Sequence, residues 1–66
     1  MFDIHMELGL CYRIVNSKGE IWEFRFVGTD ERGFQRGKML ATGEVKDLTD
    51  AFRPDVISFD EINCPN

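Results

Sequence analysis

From Phe2 to Ile14 the chain alternates: Phe2, Ile4, Met6, Leu8, Leu10, Tyr12 and Ile14 are apolar, and Asp3, His5, Glu7, Gly9, Cys11 and Arg13 lie between them. A period of two marks a strand with one buried face, because successive side chains of an extended chain point to opposite sides. Fully extended, the stretch would run about 43 Å at ~3.3 Å per residue, too long for a small domain, so a bend or bulge is expected at Gly9.

The next signal is a turn, Asn16-Ser17-Lys18-Gly19. A type I turn with Gly19 in the left-handed region, followed by a bulge, closes a short hairpin and sets its register. Asn16 then faces Glu20, and Ile14 with Trp22, Tyr12 with Phe24 and Leu10 with Phe26 fall on one face. On the other face Val15 meets Ile21, Arg13 meets Glu23 and Cys11 meets Arg25. A slip of one residue would set apolar against polar along the whole ladder.

Thr29-Asp30-Glu31-Arg32-Gly33 closes a second hairpin by the same chemistry. The third strand, Phe34 to Ala41, has a broken parity, which predicts a change of buried face near Gly37. Val45, Leu48 and Phe52 have helical spacing, but Pro54 drives Arg53 away from helical dihedrals. The expectation is a short strand at 44–46, one helical turn at Thr49–Phe52 and a last strand from Val56 to Ile62. Five short strands joined by tight turns predict a mainly β fold, a small, strongly bent five-stranded antiparallel barrel of SH3-like or Sm-like type. Residues 1–66 form one domain, with 63–66 as a frayed tail.

Composition fits this picture. A 66-residue chain buries only about 60% of its unfolded surface, so its core is small. Hydrophobic residues make up 42% of it, six phenylalanines among them, which argues against disorder. No apolar run approaches the roughly 20 residues of a membrane span. The acidic start Met-Phe-Asp-Ile-His-Met-Glu lacks the pattern of a secretion signal, so the cytoplasm is the expected location. Cys11 and Cys64 are too few for a disulfide-dense scaffold and form no C-x-x-C pair, so reduced thiols are expected.

The run Phe52-Arg53-Pro54-Asp55-Val56-Ile57-Ser58-Phe59 resembles the segment before the last strand of WYL domains. The hairpin-rich order resembles the Sm-like barrels related to them. The Trp-Tyr-Leu tripeptide of the first family and the Ile/Leu-x-Gly signature of the second are absent. What the resemblance implies is therefore limited to the fold.

Chemistry is sparse. Asp3, His5 and Glu7 share a strand side with Cys11, but i, i+2 positions lie ~6.5–7 Å apart on a flat strand, and this reads as a polar face without a metal. Gly33-Phe34-Gln35-Arg36-Gly37-Lys38 has three residues between its glycines and Met39 after the lysine, so it fails the phosphate-loop pattern. The single histidine and the two serines make no nucleophilic site. No enzyme and no cofactor are expected.

Charge divides the chain. Net charge is −4, yet residues 13–38 hold six cations against four acids, and residues 44–61 hold six acids against Lys46 and Arg53. The leading expectation is a non-enzymatic binding or regulatory module acting on a protein partner through Phe2, Ile4 and Met6, which extend an apolar stripe beyond their own hairpin. Either the strand Val56–Ile62 pairs with residues 2–8 in the same molecule, or that segment adds to a sheet edge of another chain. Two alternatives stand beside it. One is an Sm-like binder of RNA or single-stranded DNA using Arg13, Arg25, Arg36 and Lys38 on one sheet face; the other is a structural or self-assembling subunit.

Overall fold

The computed structural model describes residues 5–65. Five antiparallel strands form one sheet: β1 (Cys11–Asn16), β2 (Ile21–Thr29), β3 (Gln35–Met39), β4 (Val45–Asp47) and β5 (Val56–Ile62), with one helical turn, α1 (Thr49–Phe52), between β4 and β5. The strand order is β4-β3-β2-β1-β5. The sheet is open: β4 and β5 are its edges, with no ladder between them.

Both hairpins close by one device. Asn16 accepts the Gly19 amide at 3.0 Å through its carbonyl, while its side-chain Oδ1 accepts the amides of Lys18 and Glu20, each at 3.1 Å. Asp30 repeats this, taking the Gly33 amide at 3.0 Å on its carbonyl and those of Arg32 and Phe34, each at 3.0 Å, on Oδ1. The pattern Asn/Asp-x-x-Gly is thus an Asx turn followed by a left-handed glycine, with φ of 78° at Gly19 and 88° at Gly33. It fixes the first register at Ile14–Trp22, Tyr12–Phe24, Arg13–Glu23 and Cys11–Arg25. Those are the predicted pairs.

The core consists of Met6, Tyr12, Ile14, Phe24, Phe26, Leu48 and Ala51, with Leu10, Trp22, Met39, Phe52, Val56 and Phe59 packed around it. Leu48 and Ala51 come from α1 and its N-terminal flank and are fully buried, so the single helical turn is a plug for the sheet. Gly37 makes room for it: a Cβ there would come within 2.8 Å of both Leu48 and Phe24 side chains.

Three expectations need correction. Gly9 (φ 88°) bends the chain as expected, with the Leu10 amide donating to the Glu7 carbonyl at 3.2 Å, but strand β1 begins only at Cys11 beyond it. The alternation before it is real, but residues 5–10 form no strand, and Met6 is buried in the core. Strand β3 is shorter than 34–41, and Phe34 lies in the loop before it. The broken parity has another cause than a change of face, since Gly37 is buried and Arg36 and Lys38 share the other side. Finally, Cys11 and Cys64 form a disulfide across Cα atoms 5.3 Å apart. Cys64 is therefore pinned to β1 and is not a frayed thiol; the two cysteines, distant in sequence, become neighbours because β5 pairs with β1 and delivers the tail there.

Candidate functional site

Among the described residues, β5 is the long free edge of the sheet. Asn16 donates its amide to the Glu20 carbonyl at 3.2 Å, so Ile14 and Tyr12, of the same parity, turn their peptide groups toward β2. Cys11, Arg13 and Val15 consequently turn theirs toward β5, by the alternation of an antiparallel ladder. Their partners on β5 are Ile62, Asp60 and Ser58. The peptide groups of Phe59 and Glu61 therefore point away from the sheet, and among the described residues no strand pairs with them.

The side chains of this edge have two characters. Phe59 packs inward and stacks on Tyr12 with ring centroids 5.2 Å apart. Ile57 sits at an irregularity of the β1–β5 register and is 63% exposed. Asp55, Asp60 and Glu61 are exposed, and Asp60 is held by the Ser58 hydroxyl at 3.0 Å. The edge is acidic with an apolar knob. At the opposite end β4 has only three residues.

Of the predicted partner-binding residues, Phe2 and Ile4 lie outside the described residues. Met6 is 9% exposed and belongs to the core, so it does not offer an apolar surface to a partner. Its segment is tied down by the Glu7 amide, which donates to the Tyr12 hydroxyl at 2.8 Å, and by the Gly9 amide, which donates to the Phe26 carbonyl at 2.8 Å. β5 pairs with β1; of the segment 2–8 that was one expected partner, residues 5–8 form no strand and 2–4 lie outside the described residues.

The basic set does share a face. Arg13 lies opposite Glu23, Arg25 opposite Lys38, and Arg36 two residues before Lys38. Arg13 is bound by the Glu23 carboxylate at 2.7 Å, and Arg36 lies 3.7 Å from Asp30. Arg25 and Lys38 face each other as like charges. Phe24 and Phe26 point to the opposite, buried side, so this face has cations without an aromatic stacking platform.

Two carboxyls are tuned by the loops they close. Hydrogen bonding from the Phe34 amide, helped by the Arg32 amide and by Arg32 and Arg36, holds the Asp30 carboxyl below its ordinary value of 3.8 against the opposing effect of desolvation. The hydroxyl and amide of Thr49 do the same for Asp47, with weaker help from Arg36 and Arg32. Both acids are occupied in shaping turns.

One grouping escaped the sequence pattern. Trp22 is half-buried, not fully enclosed, and lines a cleft with Lys18 and Lys46. Those residues come from a turn and two different strands, so no local motif announces them. No protein-family model matches the chain, and neither curated proteins nor solved structures show significant similarity to it.

Proposed function

We propose that this chain is a non-enzymatic binding module whose free β5 edge receives an extended, basic segment of a partner protein. The observation that supports it is the seven-residue edge whose peptide groups at Phe59 and Glu61 have no strand partner among the described residues, with Asp60 and Glu61 on it and Asp55 beside it. Added strands gain affinity from main-chain hydrogen bonds and specificity from alternate side chains. Here the acids favour a cationic segment, and exposed Ile57 offers an apolar contact. The β4 edge is too short to compete. The finer description, an SH3-like or Sm-like bent barrel, belongs to the same reading and draws support from the strand order and from the register shifts in β2 and β5.

The test compares an extended peptide of alternating Lys and Val with one of alternating Glu and Val, on wild type and on Glu61→Pro. Proline at an outward-facing edge amide removes a donor without cutting the β1–β5 ladder. The Lys/Val peptide is expected to bind, to weaken as salt rises, and to fail on Glu61→Pro at unchanged melting temperature. Equal binding of both peptides, or full binding by a folded Glu61→Pro variant, would refute the proposal. Sedimentation adds a further arm: a dimer abolished by Glu61→Pro assigns the edge to a second copy and overturns the partner reading.

A further inference from the structure

Away from the β5 edge, a cleft of about 730 Å³ opens beside β4, between the first hairpin turn and the segment that follows α1. Its walls carry five cations (Lys18, Arg32, Arg36, Lys46 and Arg53) against three acids, Glu20, Asp47 and Asp50. That excess of positive charge stands in a chain whose net charge is −4. Most of these groups are already committed. Arg32 and Arg36 lie 3.6 and 3.7 Å from Asp30, and Arg53 lies 3.6 Å from Asp50. Glu20 accepts the Asn16 side-chain amide at 3.0 Å, and Asp47 accepts the Thr49 amide at 2.8 Å. Among the described residues, Lys18 and Lys46 have no ion-pair partner. One from a turn and one from an edge strand, they line the cleft together with the half-buried indole of Trp22.

A half-buried indole and two ammonium groups without an ion-pair partner among the described residues, all lining one concave surface, match a ligand that is aromatic at one end and anionic at the other. We infer that this cleft binds a nucleotide unit, its base stacked on Trp22 and its phosphate held by Lys18 and Lys46. Base–aromatic stacking combined with cation–phosphate attraction is the chemistry by which single strands are held without sequence readout. A free nucleotide presents the same two groups. Lys18, Lys46 and Trp22 are distinct from the Arg25–Lys38 face, which has no stacking partner; Arg36 alone belongs to both.

Trp22 is the only tryptophan of the chain, so tryptophan fluorescence comes from this one residue of the cleft. The oxidised full chain is titrated with ATP, with an eight-residue oligothymidylate and with inorganic tripolyphosphate. Saturable quenching by ATP or by the oligonucleotide is expected, and the tighter of the two identifies the source. Lys46→Glu and Lys18→Glu should each weaken binding about tenfold or more. Replacing either lysine should also flatten the dependence of log affinity on log salt by about one unit per contact for duplex-like contacts, somewhat less for a single strand. Both lysines are exposed, and circular-dichroism melting checks that the variants stay folded. Absence of saturable quenching by both nucleotides overturns the inference. So does quenching that survives Lys46→Glu together with Lys18→Glu, or tripolyphosphate displacing ATP at equal affinity, since the base would then contribute nothing.

Discussion

Asn16 has no exposed surface, yet none of its polar atoms is idle. Oδ1 takes the amides of Lys18 and Glu20, and Nδ2 donates to Glu20 at 3.0 Å and to the Ala51 carbonyl at 3.4 Å. One side chain thus shapes the first turn and ties it to α1. Asn16→Ala is expected to cost about 1–3 kcal/mol in chemical denaturation, because buried groups lose their partners. Asn16→Asp keeps the acceptor but loses the amide and sets a second carboxylate against Glu20, so it too should destabilise; wild-type stability in both would show that the side chain is dispensable. Gly37 acts by absence. Gly37→Ala must displace both Phe24 and Leu48 and should cost about 1–3 kcal/mol as overpacking, whereas the exposed neighbour Gln35→Ala should cost little.

At the scale of elements, the hairpins were legible because each carries its own turn chemistry, and the turn dictates every pair behind it. The helical turn at Thr49–Phe52 was legible from spacing and from Pro54. Residues 5–10 were misleading because a period of two does not distinguish a strand from a segment laid over a core, and Met6 is buried in the second way. The disulfide and the grouping of Lys18, Trp22 and Lys46 were not legible, since both depend on which strands become neighbours. Asp30 gives the β2–β3 loop a pH dependence. Its carboxyl is depressed below the ordinary 3.8 when folded, so its stabilising contribution is complete above that unfolded value and is lost as pH falls through the lower folded value. Asp30→Asn retains the side-chain oxygen but not the charge. The difference in stability between pH 7 and pH 3 should shrink in that variant, and an unchanged difference would assign acid sensitivity elsewhere.

For the whole molecule, size is the governing constraint. At ~0.05–0.15 kcal/mol per residue a chain of this length has roughly 3–10 kcal/mol of net stability. The Cys11–Cys64 bond spans a sequence separation of 53 residues, and closing a loop of that size contributes about 4 kcal/mol by the chain-entropy account. A single covalent link is therefore comparable to the stability of the whole domain, and it holds the tail of β5 against β1. Reduction with a dithiol, or Cys64→Ser, should lower the melting temperature by roughly 15–30 °C. A shift below about 5 °C would mean that the apolar core suffices without the link.

Binding at β5 requires a free edge, and amide hydrogen exchange of the oxidised protein, resolved along Val56–Ile62, examines that most directly. The expected profile alternates: Ser58, Asp60 and Ile62, which face β1, exchange slowly, while Phe59 and Glu61 exchange near the rate of an unstructured peptide. Slow exchange at Phe59 and Glu61 in a monomer would show that the edge is already covered within the chain and would contradict the proposed mode of binding.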